Sequence, residues 1–196
     1  MNMTKEKLIA AGAELFLIHS YQGTGINEVL SACGVPKGSF YNYFPSKEDF
    51  ALAVVDYHME KSRDFVLDNL CNETLPPIAR LAAYLDAISQ GMVDCNFAIG
   101  CAFGTMASEM SGLSPKLRLA LSRAFQTQVD HLANCIRLGQ EQGEIRDDLD
   151  PAKTAGFIMS ALQGAQIIAK TFLNAKPLRD VRHMVVEVLL PAKLQP

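Results

Sequence analysis

Two stretches of the chain carry side chains whose types and spacing could do chemistry. Residues 36 to 47 read Pro36-Lys37-Gly38-Ser39-Phe40-Tyr41-Asn42-Tyr43-Phe44-Pro45-Ser46-Lys47. On a short helix, Phe40 and Phe44 fall four apart and pack inward, which leaves Lys37, Ser39, Tyr41, Asn42 and Tyr43 outward. Gly38 lacks a side chain and lets a backbone come close to a duplex. Such groups donate to phosphate oxygens and to base edges. Between Val29 and Lys47 stand two lysines and no carboxylate, whereas residues 1 to 50 carry four lysines against five acids, so the positive surface is narrow. The second stretch, Asn96-Phe97-Ala98-Ile99-Gly100-Cys101-Ala102-Phe103-Gly104, sets a thiol between glycines where a helix begins. That position leaves the sulfur sterically open and favours its anionic form. Lys170 is the one cation within Ile167-Ile168-Ala169-Lys170-Thr171-Phe172-Leu173, and enclosed there it needs an anion.

The rest of the composition excludes more than it assigns. With 196 residues, 49% apolar and 20% charged, the chain has material for a sizeable core and is not a disordered or low-complexity polymer. A net charge of −3 gives no global attraction to nucleic acid or to an anionic membrane, so any case for DNA must be local. The longest uncharged run, residues 154 to 169, is shorter than the roughly 18 apolar residues of a membrane span. The apolar run Leu8 to Ala13 lies between Glu6 and Glu14, unlike a signal peptide, and a cytoplasmic location is expected. Five cysteines without a C-x-x-C pair imply neither disulfides nor zinc; Cys33, Cys71, Cys95 and Cys135 read as small buried hydrophobes. Four scattered histidines suggest no metal site, and no cofactor or catalytic constellation is recognisable.

The elements that must position these residues are all helical, because apolar residues recur at three- and four-residue spacing and strand patterns are nearly absent. Thr4 caps a first helix that ends at Ser20 to Gly23, and Thr24 caps a second over about 26 to 32. Gly34 breaks that helix and Pro36 starts a third, to about Phe44. Pro45 stops the third; Ser46 and Asp49 make a capping-box-like start for a long fourth helix to about Leu70. Further helices are expected over 77–92, 101–110, 114–142, 150–174 and 178–190. Ser114-Pro115 and Asp150-Pro151, a cap followed by proline, fix two of those starts.

Two short helices joined by Cys33-Gly34-Val35 have the size of a helix-turn-helix, whose second helix lies in the major groove. Thr24-Gly25-Ile26-Asn27-Glu28-Val29 and the run from Cys33 to Glu48 resemble the DNA-binding signature of the TetR family of bacterial regulators. The resemblance implies an all-α protein. A three-helix DNA-binding domain over residues 1–48 would precede an effector-sensing and dimerisation bundle over 49–196. It implies that Thr24, Tyr43 and Lys47 contact phosphate, and that Lys37, Gly38, Ser39, Tyr41 and Asn42 face the groove of double-stranded operator DNA.

In the C-terminal part, Gly156, Ser160 and Gly164 form a small-residue stripe along which another helix backbone can approach. With Val181, Val185 and Val188 they are the expected homodimer interface. Phe97, Phe103, Met106, Phe125, His131 and Met159 are candidates for lining a cavity for a small-molecule effector, although the same spacing suits ordinary core. Gly100-Cys101, Glu109, Leu113-Ser114-Pro115-Lys116, Gly164-Ala165 and Lys170 resemble the branch of the family that includes the N-ethylmaleimide-responsive repressor, an electrophile and oxidant sensor. That likeness implies effector sensing by Cys101 and Lys170. The competing readings are a thiol-dependent enzyme acting through Cys101 and a purely structural helical dimer.

Overall fold

The computed structural model describes residues 3 to 192 and the backbone but not the side chain of Lys37. Its helices are α1 (Met3–Gly23), α2 (Ile26–Cys33), a 3-10 helix (Lys37–Asn42), α3 (Lys47–Asn69), α4 (Pro77–Asp94), α5 (Ala102–Met110), α6 (Pro115–Glu141), α7 (Pro151–Phe172) and α8 (Lys176–His183). A π-helical turn (Met184–Leu189) follows α8 directly. The long last helix expected over 178–190 is therefore two segments. The third helix is a 3-10 helix rather than an α-helix from Pro36 to Phe44. Gly38 inside it and Pro45 just after it leave too few residues for a stable α-helix.

The chain divides into two compact units, Met1–Ser62 with Cys101–Phe125, and Arg63–Gly100 with Gln126–Pro196. The first unit takes in residues 1–48 together with α5 and the start of α6, and α3 runs through position 48 without interruption. Its core is built on Phe50, whose ring stands 5.7 Å from Phe16, 5.2 Å from Phe40 and 5.0 Å from Phe44. Phe40 and Phe44 are buried, as their spacing predicts. Gly12 on α1 faces the same ring, and a Cβ there would meet Phe50 Cε1 at 2.7 Å. The absence of a side chain at Gly12 is thus what allows α1 to pass over Phe50.

Local signals fix the short elements. Gly25, not Thr24, is the N-cap of α2, and its N–H donates to Glu28 Oε2 at 3.3 Å. Gly34 closes α2 at φ 65, a left-handed position that suits glycine. At the start of α3 the Asp49 N–H donates to Ser46 Oγ at 3.1 Å and the Ser46 hydroxyl donates to Asp49 Oδ2 at 2.7 Å. Ser114 Oγ accepts the Leu117 N–H at 3.2 Å at the head of α6. The caps expected before Pro115 and Pro151 are both present.

In the second unit Asp150 Oδ1 accepts the Lys153 N–H at 3.0 Å to start α7, and Leu173 ends it at φ 49. Gly139 on α6 lies against Ile145 and Pro77, where a Cβ would approach Ile145 Cγ1 to 2.7 Å. The outer side of α7 and the π-helical turn is apolar yet uncovered: Phe157, Ile167, Phe172, Met184 and Val188 are all more than half exposed.

Gly12→Ala forces the Phe50 ring to shift in a packed core, which costs about 1–3 kcal/mol. In a thermal melt followed by circular dichroism its midpoint should fall by roughly 2–12 °C. An unchanged midpoint would mean that the Phe50 ring moves aside freely.

Candidate nucleic-acid interface

The surface that could meet DNA is the 3-10 helix and what lies beside it. Tyr41 is 64% exposed although flanked by core aromatics, Asn42 is exposed, and Ser39 and Tyr43 are half-buried. Gly38 is exposed, and a Cβ added there would touch nothing within 4 Å. The Tyr41 ring stands 5.4 Å from Phe40 with an interplanar angle of 82°, so its base rests on the core while its edge reaches solvent. The backbone at Lys37 opens the helix; its side chain lies outside the described residues.

Two expected phosphate ligands are placed differently. Thr24 is fully buried, and its hydroxyl donates to the Ser20 carbonyl at 2.7 Å and lies 3.2 Å from that of Leu15. It joins α1 to α2 from inside and cannot touch a phosphate, so that assignment is withdrawn. The Lys47 ammonium donates to the Tyr21 carbonyl at 2.5 Å and sits 4.5 Å from the centroid of the Tyr21 ring. Burial pushes the Lys47 ammonium below its ordinary pKa, with Glu109 opposing. In this arrangement Lys47 faces inward.

The reason lies in α1. Ser20 takes φ 67, ψ 170, a region that side chains other than glycine's rarely enter, and the helix breaks there. Such a backbone costs on the order of 1–3 kcal/mol and persists only where its surroundings enforce it. Glu109, near the end of α5, supplies the enforcement. Its carboxylate accepts the Tyr21 N–H at 2.7 Å, the Gln22 N–H at 2.7 Å and the Ser20 hydroxyl at 3.1 Å. One residue beyond Lys47, Glu48 accepts a short hydrogen bond from Ser114 and pairs with Lys116 at 3.7 Å. The sequence carries no local signal of this role for Glu109, since its partners stand 87 to 89 positions away.

At the other end of α5, Cys101 is the N-cap, half-buried, with its sulfur accepting the Gly104 N–H at 3.5 Å. The remaining thiols differ among themselves. Cys135 is buried, donates to the Pro77 carbonyl at 3.4 Å, and is pushed by burial up to about 12. Cys33 and Cys95 are half-buried, whereas Cys71 is exposed and is not the buried hydrophobe expected of it. Lys170 also departs from expectation. It is exposed on the last turn of α7, where a cation suits the helix dipole, and is not enclosed by apolar residues.

The six candidate cavity residues divide between the units: Phe103, Met106 and Phe125 in the first, Phe97, His131 and Met159 in the second. Phe103 and Met106 belong to the core of the first unit, and Met159 is buried in the second. Phe97 and its neighbour Asn96 take φ 59 and 50, so the turn before Cys101 is strained. His58 carries no sequence signal, yet its Nε2 is buried without a partner among the described residues, and burial pushes the imidazole down. Along α7, Ser160 is exposed, and a Cβ added at Gly156 or Gly164 would touch nothing within 4 Å, so the small-residue stripe is open. Val188 is exposed and Val181 half-buried, but Val185 is in the core and is withdrawn as an interface residue. Among the described residues no group of three or more His, Cys, Asp or Glu could hold a metal ion, and no helix is long and apolar enough to cross a membrane.

Comparison with known proteins agrees with this layout. Residues 8–54 match the model of bacterial regulatory proteins of the tetR family, and residues 77–185 match the tetracyclin repressor-like C-terminal domain. The HTH-type transcriptional repressor DhaR of Mycobacterium sp. strain GP1 is 35% identical over 96% of this chain and 93% of its own. The regulatory protein TetR from Rhodobacter sphaeroides superposes with a TM-score of 0.89 at 31% identity, over 95% of this chain and 98% of that one. The reduced form of NemR from Escherichia coli gives a TM-score of 0.87 at 26% identity, over 99% of this chain and the whole of that one. The exposed polar edge of the 3-10 helix, the all-helical order and these matches together make the chain a member of the TetR family of transcriptional regulators, and not an enzyme.

Proposed function

We propose that the chain is a cytoplasmic, homodimeric repressor that grips a palindromic operator through its 3-10 helix and releases it when an electrophile or oxidant modifies Cys101. The observation that carries the DNA reading is Tyr41 and Asn42 held exposed beside Gly38 on a helix whose other side is buried. Ser39 and Tyr43 extend the same surface, and Lys37 is the first residue of the helix. The partner copy is supported by the uncovered apolar face of α7 and the turn after α8, where Phe157, Ile167 and Val188 flank the Gly156, Ser160 and Gly164 stripe. A dimer places two such helices on half-sites separated by about 34 Å or a multiple of it.

The effector step needs only one thiol. The Cys101 sulfur, its proton passed to water, adds to the activated carbon–carbon double bond of an electrophile such as N-ethylmaleimide; one C–S bond forms as the π bond breaks, and the other alkene carbon takes a proton from water. The adduct adds bulk at a half-buried position, worth about 1–3 kcal/mol, and disturbs a cap worth about 0.5–2 kcal/mol. Moving a population from 99% to 1% competent takes about 5.5 kcal/mol, so both protomers of the dimer must react for full release. Lys170, exposed on α7, is not required by this route.

Tyr41→Ala and Asn42→Ala should each weaken specific binding by ~1–3 kcal/mol while leaving the dimer intact on size-exclusion chromatography. Lys37→Ala should reduce the slope of log K against log salt by about 0.9. The probe is a labelled duplex selected by the wild-type protein from a random DNA library, titrated by fluorescence anisotropy; wild-type isotherms in all three variants would end the assignment of the reading surface.

N-ethylmaleimide should release that duplex from the wild type and much less from Cys101→Ser, with mass spectrometry locating two adducts at Cys101 per released dimer. Equal release from the serine variant would transfer the response to another thiol, Cys71 being the exposed one.

A further inference from the structure

We propose that Glu109 is a positioning residue for operator binding: its carboxylate holds the break in α1 at Ser20 and so sets where the DNA-reading helix stands. The inference rests on the regulator reading above. Three donors from consecutive residues converge on this one side chain: the Tyr21 N–H and the Gln22 N–H at 2.7 Å each, and the Ser20 hydroxyl at 3.1 Å. An acid near the end of a nine-residue helix gains nothing from the helix it sits on, since the C-terminal end of a helix disfavours negative charge. What retains it is the cap it provides to the freed amides of another helix.

The break has direct consequences for α2 and the 3-10 helix. Ser20 supplies the carbonyl that accepts both the Thr24 N–H at 3.1 Å and the Thr24 hydroxyl at 2.7 Å, immediately before the Gly25 cap of α2. Tyr21 supplies the carbonyl that accepts the Lys47 ammonium at 2.5 Å, at the first residue of α3. The segment carrying Tyr41 and Asn42 is therefore bounded on both sides by elements anchored to residues 20 and 21. Because φ 67, ψ 170 is foreign to serine, this geometry does not hold without the acceptor. Among the described residues the hydrogen bonds of Glu109 go to Ser20, Tyr21 and Gln22 and not to Ser39, Tyr41, Asn42 or Tyr43, so it acts through the backbone.

The test compares wild type, Glu109→Gln and Glu109→Asp on the selected duplex at three salt concentrations and 10 °C, with hydrogen–deuterium exchange of the peptide covering residues 17 to 24. The glutamine keeps one acceptor oxygen but turns an NH2 toward a backbone donor. We expect its affinity to fall tenfold or more with an unchanged salt slope, since no phosphate contact is lost. Exchange at residues 21 and 22 should accelerate at least tenfold while α3 around Val54 stays protected. Glu109→Asp, charged but one methylene shorter, should fall between the two. If the glutamine variant does not fold, the aspartate variant decides by the same two readouts. Affinity within twofold of wild type overturns the assignment. So does a loss accompanied by equal loosening of α3, which would make Glu109 a general stabiliser. A wild-type chain that selects no duplex overturns the regulator reading itself and this inference with it.

Discussion

The constraint on which the surface proposed to face DNA would depend is the interruption of α1 at Ser20. A helix that breaks leaves amide donors and carbonyl acceptors unpaired on either side of the break, and each costs about 1–3 kcal/mol if buried without a partner. Here the donors at Tyr21 and Gln22 are met by a carboxylate from α5, and the carbonyls at Ser20 and Tyr21 by the Thr24 hydroxyl and the Lys47 ammonium. One irregular turn thereby ties together α1, the entry to α2, the start of α3 and the end of α5. The aromatic cluster around Phe50 supplies cohesion by burying its rings against one another. The polar turn adds a directional demand, because every member needs its partner in place.

Much of this was readable from local pattern and some was not. The caps at Ser46, Ser114 and Asp150, the inward Phe40 and Phe44, and the helical order follow from spacing and from proline and glycine positions. Each involves residues within about four of one another. The third helix differs from its expected type because Pro36 satisfies an α-helix start, whereas Gly38 and Pro45 limit the length, and length decides at six residues. Thr24 differs for a related reason: threonine before a helix suits a cap, but Gly25 takes the cap and Thr24 points back to Leu15 and Ser20. Lys170 looked enclosed because its neighbours are apolar, yet Ile167, Phe172 and Leu173 are themselves exposed, so apolar company in sequence did not mean burial. Glu109 was invisible as a cap because its partners lie across the fold.

The position of Cys101 gains meaning from the same helix. α5 runs from its cap at Cys101 to Met110, a rod of about 1.5 Å per residue with Glu109 near its far end. A short helix bends little, so bulk added at its cap is transmitted along it as translation or rotation more readily than absorbed within it. A carboxylate that must meet three donors at hydrogen-bond distance tolerates little such movement. Under the proposed function the thiol and the carboxylate would be the two ends of one lever, both inside the first compact unit.

Charge then bears on the proposed dimer and on what a second copy would add to binding. Residues 1 to 50 carry one more acid than lysine, and the Lys47 ammonium is already engaged by the Tyr21 carbonyl. Few counterions are released by one such surface, so a single domain holds DNA weakly through the nonspecific term that usually dominates. Tyr41, Asn42 and Ser39 are neutral, so on the proposed reading they would contribute discrimination rather than long-range attraction. Linking two weak readers at fixed separation turns the second contact into an intramolecular step, and affinity rises without any further positive charge. The gain exists only while the separation fits the half-sites. A chain that relies on geometry in place of charge is correspondingly sensitive to a small displacement at residues 20 to 22, and that sensitivity is what an effector acting through α5 would use.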